Sequence, residues 1–244
     1  MKIEFVVLAA GQGTRMRSNL PKVLHEIGGC ALLEHVLRTV ETLSPSCIHV
    51  VVGAGHDTVR ERLGAQRVNW VLQEEQKGTG HAAAQALSHL DSDSIVVVLY
   101  GDVPMVQAST LAALVTAAST GGLALITAEV KDPSGLGRIV RDGEGRVEAI
   151  VEERDARQEQ LGIHEINSGI MALGARLFGR WISQLEPDNA QGEYYLTDLV
   201  QLAVGDGVEV HTVCPDFEEE VWGVNNPREL ARVERAYRRR VAQS

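Results

Sequence analysis

The sequence predicts an α/β fold whose core is a mixed, mostly parallel β-sheet with helices on both faces. Two observations support this prediction. Short runs of valine, isoleucine and leucine alternate with amphipathic or alanine-rich stretches up to residue 130. These runs are almost wholly apolar, as strands are when both faces of their sheet are covered. The 244 residues, of which 44% are hydrophobic, suffice for a substantial core.

The first half of the chain supplies strands and helices in alternation. The run FVVLAA is typical of a buried strand, and the helix after it places its apolar residues on one face. A later helix is rich in alanine, which has the highest helix propensity. In chain order, the predicted strands cover residues 5–10, 48–53, 68–73, 94–102 and 122–130, and the predicted helices cover residues 31–43, 57–63, 80–90 and 109–119.

The pattern changes after residue 131. Residues 138–153 predict two short strands joined by a turn at Asp142–Gly145. The last helix has a clear start, because Asn226 can cap it and Pro227 suits its first position. We also expect strands at 165–173 and 208–213 and helices at 175–185 and 195–204. No repeat or Pro/Ser-rich linker separates these parts, so we expect a single domain over residues 1–244.

Charge and cysteine usage exclude several functional classes. The formal net charge is −10, which argues against nucleic acid or an anionic membrane surface as a partner. A phosphate-bearing ligand would therefore need local cations or a metal ion. Cys30, Cys47 and Cys214 are scattered and form no C-x-x-C pair, as is usual for reduced thiols. No stretch predicts a signal peptide or a membrane span, so we expect a soluble, cytoplasmic protein.

The stretch LAAGQGTRMRSNLPK follows the first predicted strand and is a candidate phosphate loop. Gly11 and Gly13 let backbone N–H groups approach an anion closely. The dinucleotide motif G-x-G-x-x-G and the P-loop both require a glycine where Met16 stands, so neither applies. Arg15 can bind phosphate oxygens in a bidentate manner, and Lys22 supplies a compact charge after a rigid proline.

This stretch, Leu8 to Lys22, resembles the first motif of the nucleoside-diphosphate-sugar pyrophosphorylases. Further stretches are similar to one subgroup, the uridyltransferase half of the bacterial bifunctional N-acetylglucosamine-1-phosphate uridyltransferase/glucosamine-1-phosphate acetyltransferases. The resemblance implies a Rossmann-like nucleotide-diphospho-sugar transferase fold. The stretches that carry it, in chain order, are WVLQEEQKGTGHA (70–82), LYGDVP (99–104), GLGRIV (135–140), IVEE (150–153), EINSGI (165–170), NAQGEYYLTD (189–198) and GVNNP (223–227).

The resemblance implies that an oxygen of a sugar 1-phosphate attacks the α-phosphorus of UTP with Mg²⁺ as cofactor, and that pyrophosphate leaves. It gives Arg15 and Lys22 the catalytic roles and makes Asp102 and Asn225 the metal ligands. Asp102 stands at the carboxyl end of a predicted strand, where ligands of parallel sheets bind, and its carboxylate suits Mg²⁺. An isolated aspartate there is usually a helix cap or turn residue, but the motif YGDVP, together with Arg15 and Lys22, favours metal ligation. The role of Asn225 depends largely on the resemblance, because Asn-Asn-Pro is normally only a helix start.

The resemblance also implies the residues that contact the substrates. UTP and N-acetylglucosamine 1-phosphate are the expected partners, and residues 190–195 are expected to close over the sugar. The nucleotide-binding residues are Leu8, Ala10, Gly11, Gly13, Gln73, Gln76, Gly78 and Thr79, and the sugar-binding residues are Tyr100, Gly101, Gly137, Glu152 and Asn167. The amide of Gln73 can pair with the donor and acceptor edge of uracil.

The sequence departs from the family pattern at two points, and two other functions remain as alternatives to the predicted uridyltransferase. Gln12 stands where many relatives carry a basic residue, and no hexapeptide-repeat β-helix follows Val224. We therefore expect no acetyltransferase activity and a monomer or a weak oligomer. One alternative is transfer to another sugar 1-phosphate, such as glucose 1-phosphate, or from another nucleotide. The other is a nucleotide-sugar-binding domain without catalysis.

Overall fold

The computed structural model describes residues 1–53, 55–64 and 67–243, and strands and helices alternate along the first half of this part of the chain. The strands are β1 (Lys2–Ala9), β2 (Glu26–Ile27), β3 (Cys30–Ala31), β4 (Cys47–Val52), β5 (Asn69–Leu72), β6 (Ser94–Tyr100), β7 (Leu123–Glu129), β8 (Arg138–Arg141), β9 (Val147–Val151), β10 (Glu165–Gly174) and β11 (Val210–Val213).

The α-helices agree with the predicted ones in order, with one short addition, α5. They are α1 (Leu32–Glu41), α2 (His56–Leu63), α3 (Thr79–Ala84), α4 (Ala108–Ala118), α5 (Gln158–Leu161), α6 (Ala175–Ile182), α7 (Leu199–Gly205) and α8 (Pro227–Val241). Within the described ranges, none of them combines the length and the apolar character that a membrane crossing requires.

The main sheet confirms the predicted mixed, mostly parallel arrangement. Its strand order is β11-β7-β10-β6-β1-β4-β5, and the β8–β9 pair extends it through β10. β1 lies in the middle and pairs in parallel with β4 and β6. β10 runs antiparallel to β6 and β7, and the pairings of β8 with β10 and β9 are antiparallel as well. The small β2–β3 hairpin forms a separate sheet.

Apolar layers cover both faces of the sheet, as the uninterrupted hydrophobic strands predict. One layer packs α1, α2 and α4 against the sheet, through residues such as Leu37 and Leu114. The other packs α3, α6 and α7, with Phe178 and Trp181 fully buried. A smaller cluster fixes α8 and the β2–β3 hairpin through Ile27 and Val233. Because the strands are held on both sides, their ends form a rigid base for loops.

Two predicted helices differ from the observed ones for local reasons. The helix predicted over residues 80–90 ends at Ala84, and a 3₁₀ turn follows at Leu87–His89. The side chain of Gln85 donates to the carbonyl of His81 at 3.0 Å, which replaces the backbone bond that would continue the helix. The helix predicted over 195–204 begins with a 3₁₀ turn, because the amide of Leu196 donates to Thr79 Oγ1 at 3.1 Å.

Candidate active site

The candidate site lies at the carboxyl ends of β1 and β6, where open parallel sheets bind their ligands. These strands pair in parallel with Leu8 opposite Tyr100, so the loops that follow them start side by side. The amide of Gly101 donates to the carbonyl of Leu8 at 2.9 Å and joins the two loops. A Cβ on Gly101 would lie 3.0 Å from a methyl of Leu33, which leaves little room for a larger residue.

The glycine loop after β1 is shaped by Gly13 and anchored by Met16. Gly13 has φ +62°, and a Cβ there would lie 2.7 Å from Cβ of Lys22. Glycine therefore lets the stem of Lys22 pass directly beneath the loop. Met16 is buried in the small apolar cluster that holds α8, together with Ile27 and Val233. This packing explains why the position is not a glycine. Arg15, between these two residues, is exposed, and its guanidinium has no bonding partner among the described residues.

Lys22, Asp102 and Asn225 meet although they are far apart in sequence. Lys22 Nζ donates to Asp102 Oδ2 at 2.5 Å and to Asn225 Oδ1 at 3.0 Å. The backbone fixes this contact, because the amide of Val224 donates to the carbonyl of Asp102 at 3.0 Å. The amide of Asn225 donates in turn to Glu229 Oε2 at 2.7 Å. Asn226 takes the capping role and accepts from two backbone amides of α8 at 3.0 Å each.

The donor set at this point suits a small, hard cation. Asp102 offers a largely buried carboxylate and Asn225 an amide oxygen. In the described part of the chain, no group of three or more His, Cys, Asp or Glu side chains could hold a metal ion. Mg²⁺ is commonly held by one or two protein oxygens, with phosphates and water as its other ligands. The two predicted metal ligands therefore fit Mg²⁺ bound together with a polyphosphate.

A cavity of about 270 Å³ lies beside the glycine loop, and we call it the nucleotide cavity. Gln73, 2% exposed, lies in its wall and donates from Nε2 to His81 Nδ1 at 2.9 Å. Gln76 Nε2 donates to the carbonyl of Ala10 at 2.5 Å and ties the glycine loop to the loop after β5. Of the predicted nucleotide-binding residues, the cavity wall contains Leu8, Ala10, Gly11, Gln73, Gln76, Gly78 and Thr79.

Residues 189–196, which we call the 189–196 segment, close one side of this cavity. Gly78 has φ +108°, and a Cβ there would lie 2.6 Å from the carbonyl oxygen of Tyr194. That carbonyl accepts from the amide of Gly80 at 2.8 Å, and the amide of Tyr194 donates to the carbonyl of Lys77 at 2.8 Å. At its other end, the amide of Ala190 donates to Asp155 Oδ1 at 2.9 Å. The segment thus contacts the loop at residues 77–80, which is predicted to bind the base, and also Asp155, near the predicted sugar residue Glu152.

Tyr100 lies between the predicted nucleotide and sugar residues. Its ring packs directly on Gly169, which has φ +82° and could carry no side chain there. Burial is the main cause that raises the pKa of Tyr100, and the nearby carboxylates of Glu152 and Asp102 raise it further. The phenol is therefore a neutral hydroxyl.

The remaining predicted sugar residues form one group at the start of β8 and β10. The amide of Asn167 donates to the carbonyl of Gly137 at 2.9 Å, and its side-chain oxygen accepts from the amide of Gly169 at 3.0 Å. Glu152 Oε1 would lie 3.3 Å from a Cβ on Gly137, and it accepts from Thr197 Oγ1 at 3.3 Å. Burial raises the pKa of Glu152 above its ordinary value.

Sequence reasoning missed three polar residues of this region. His81 holds the amide of Gln73, and Asp155 holds the 189–196 segment. Asp198 has a pKa raised to about 6, first by burial and then by the charge of Asp155. No motif or spacing marks these contacts, because they join parts of the chain that meet only in the fold.

A second, larger cavity of about 960 Å³ shares Lys22, Tyr100 and Asp102 with the nucleotide cavity. Its other walls are the loop at residues 131–136, residues 218–226 and one side of α8, so we call it the α8 cavity. Arg15 and Asn225 also line it. The metal candidates therefore stand at the boundary between two cavities, with the glycine loop over both.

Comparisons with known proteins identify the family of the chain and similar folds. The family described as MobA-like NTP transferase domain matches residues 5–161, more than half of the chain. A relative from Pseudomonas fluorescens (strain Pf0-1), named Bifunctional protein GlmU, is 50% identical over 240 residues, which is 98% of this chain and 52% of the relative. A protein of the same name from Azotobacter vinelandii is 53% identical over 99% of this chain and 53% of the relative. The chain spans about half the length of these curated relatives.

Solved structures confirm the fold. A UDP-glucose pyrophosphorylase complexed with UDP-glucose superimposes with a TM-score of 0.79 at 16% identity, covering 98% of this chain and 100% of that one. The inositol-1-phosphate CTP transferase from T. maritima superimposes with a TM-score of 0.70 at 18% identity, covering 95% and 93%. At these identities the likeness concerns the fold alone, and it agrees with the predicted nucleotide-diphospho-sugar transferase fold.

Proposed function

We propose, from the premise that this chain belongs to the family of MobA-like NTP transferase domains, that it transfers UMP from UTP to N-acetylglucosamine 1-phosphate. The products are UDP-N-acetylglucosamine and pyrophosphate. The observation that carries the proposal is the meeting of Lys22, Asp102 and Asn225 at the boundary of two cavities. Two proteins named Bifunctional protein GlmU match nearly all of this chain over about half of their own length, and these matches support the choice of nucleotide and sugar.

The site can promote this transfer by positioning and by neutralising charge. The phosphate oxygen of the sugar 1-phosphate is already ionised, so no general base is needed when it attacks the α-phosphorus in line. Lys22 Nζ provides a positive charge where charge develops on the α-phosphate. Arg15, exposed at the rim, can bind the outer phosphates in a bidentate manner. Mg²⁺, held by Asp102 and Asn225, would neutralise further phosphate charge when bound.

The two substrates have separate sets of contacts. Gln73, fixed by His81, presents its amide to a uracil edge, and Gly78 lets the backbone of Tyr194 pack closely beside this loop. On the other side of Tyr100, Glu152 and Asn167 offer acceptors and donors to sugar hydroxyl and amide groups. Two further features support an intracellular reaction: it consumes a nucleoside triphosphate, and the three cysteines in the described ranges are unpaired.

Pyrophosphate release by the purified chain tests the proposal. UTP, CTP, ATP, GTP and dTTP are each combined with N-acetylglucosamine 1-phosphate, glucose 1-phosphate and galactose 1-phosphate, with Mg²⁺ or with EDTA. We expect the fastest release with UTP and N-acetylglucosamine 1-phosphate, and none with EDTA. A different preferred pair would replace the substrate assignment, and no release with any pair would reject the transferase proposal.

The variant Asp102→Asn separates catalysis from mere binding. It keeps the side-chain shape but removes the carboxylate that contacts Lys22. We expect turnover to fall by at least about 100-fold, as removal of one preorganised electrostatic group typically does. Asp216→Asn, at an exposed position away from both cavities, is the matched control and should react normally. A binding-only domain would instead show no turnover in the unaltered chain and retain UDP-sugar binding.

A further inference from the structure

The α8 cavity has more basic than acidic side chains, although the chain as a whole carries a net charge of −10. Its acidic side chains are Asp102, Asp132, Glu218 and Glu229, and its basic side chains are Arg15, Lys22, Lys131, Arg228, Arg232 and Arg235. A concave site lined by one sign of charge attracts ligands of the other sign. The wall therefore favours an anion.

Most of the acidic groups already have partners within the protein. Glu229 accepts from the amide of Asn225 and from the side chain of Asn226. Glu218 accepts from Trp222 Nε1 at 3.1 Å and from Arg232 at 3.4 Å. The Arg232 guanidinium also stacks on the Trp222 ring, 3.3 Å from its centroid, and is thereby fixed in the wall.

Apart from Lys22 and Arg232, the cations of this wall have no such compensation within the described ranges. Arg228, Arg232 and Arg235 are spaced as residues on one helix face, and they are presented to the cavity together. Across residues 1–53, 55–64 and 67–243, the side chains of Arg228, Arg235 and Lys131 have no hydrogen bond or ion pair, and neither has Arg15. Arg228 follows the metal candidate Asn225 by three residues, whereas Arg235 lies about 10 Å further along the helix axis.

We propose that the α8 cavity is a binding site for inorganic pyrophosphate, with Arg228, Arg235 and Lys131 as its cations. The inference rests on the proposed function, in which the bond between the α-phosphorus and its bridging oxygen breaks and pyrophosphate keeps the electron pair. That anion forms beside Lys22 and Arg15, which line the same cavity as the three cations. Planar guanidinium groups match the oxygens of a diphosphate in a bidentate manner. The cations receive the leaving group and lead it towards the solvent.

Calorimetric titration with sodium pyrophosphate, without Mg²⁺ or nucleotide, tests this site independently of turnover. We expect the double variant Arg228→Ala/Arg235→Ala to bind pyrophosphate at least about tenfold more weakly, since charge-assisted bonds contribute about this much or more. Arg228→Lys/Arg235→Lys should recover part of the affinity. Arg239→Ala removes one arginine charge from the same helix outside the cavity, and it should bind like the unaltered chain.

The reverse reaction, UDP-N-acetylglucosamine with pyrophosphate, supplies a second measurement. In the double variant the KM for pyrophosphate should rise, while the KM for the nucleotide sugar stays unchanged. Affinities within about twofold of the unaltered chain would overturn the site, and so would an equal loss in Arg239→Ala. A weaker affinity for UTP with unchanged pyrophosphate binding would overturn it as well. If the unaltered chain binds pyrophosphate but catalyses neither direction, the proposed function fails and the binding site stands.

Discussion

Lys22 contacts both oxygens that are predicted to hold the metal ion, and this has a measurable consequence. An ammonium group and a divalent cation compete for the same acceptors, Asp102 Oδ2 and Asn225 Oδ1. We therefore expect Lys22→Met to bind Mn²⁺, a spectroscopic substitute for Mg²⁺, more tightly than the unaltered chain, although its turnover falls by at least about 100-fold. Electron paramagnetic resonance of free Mn²⁺ measures the affinity. Lys2→Met, which removes an ion pair with Asp91 far from the site, is the control and should bind Mn²⁺ like the unaltered chain. Weaker Mn²⁺ binding in Lys22→Met would contradict the competition between the ammonium group and the metal ion.

Asp198 makes the stability depend on pH. Its pKa is raised from 3.8 to about 6, so the folded protein holds this proton more tightly than the unfolded chain does. The free energy of unfolding therefore falls as pH rises from the unfolded pKa of 3.8 to the folded pKa of about 6. Above the folded pKa this loss of stability is complete. Asp198→Asn should raise the free energy of unfolding by about 1–2 kcal/mol near neutral pH and leave it unchanged below about pH 4. Urea unfolding at both pH values measures this, and an equal gain at both would point to another cause.

Both the backbone conformation at position 78 and the close packing of Tyr194 require a glycine there. Its φ of +108° disfavours any side chain, and a Cβ would meet the Tyr194 carbonyl. We expect Gly78→Ala to displace the 189–196 segment and to raise the KM for UTP by about tenfold or more, since a misplacement of about 1 Å can cost that much. Gly143→Ala, with nothing within 4 Å of its Cβ, is the matched control. Equal KM values in both variants would show that the close contact does not position the nucleotide.

Helix α8 connects fold stability to the metal candidates. Asn226 caps the helix and also binds Glu229, which holds the amide of Asn225. Asn226→Ala should lower the free energy of unfolding by about 1 kcal/mol, as lost caps typically do. It should also lower kcat, because Asn225 loses its support. Asn226→Ser retains a capping oxygen and should recover most of the stability in a denaturant titration; recovered stability without recovered kcat would assign the effect to Glu229.

The elements differ in how far the sequence could predict them. The apolar strands and the start of α8 are local patterns, and the structure confirms them. The end of α3 could not be predicted, because it depends on the Gln85 side chain bonding to a carbonyl. The hold of His81 on Gln73 and of Asp155 on the 189–196 segment likewise arises only when separate loops meet. The motifs predicted which loops contribute residues to the candidate site, whereas the contacts between these parts of the chain required the structure.

At the scale of the whole molecule, charge is distributed unevenly. The chain is acidic, with a net charge of −10, yet the α8 cavity is lined by four cations that have no side-chain partner among the residues that the structure describes. We expect the KM for pyrophosphate to rise as KCl increases from about 0.05 to 0.5 M, because salt at these concentrations screens charges over less than about 15 Å. Arg228→Ala/Arg235→Ala should show a flatter dependence. An equally steep dependence in the variant would mean that other charges attract the anion.

Strand β10 is antiparallel to β6 and β7. Its first residues therefore lie at the same edge of the sheet as the last residues of β6 and β7. Asn167, at that start, and the β8–β9 pair extend the edge beyond Tyr100. In the proposed function, loops after β1, β5 and β6 would bind the donor nucleotide, whereas strands on the other side of β6 would bind the acceptor. Donor and acceptor recognition would then be separable, and an exchange of residues 135–170 should change the sugar preference without redesign of the nucleotide half.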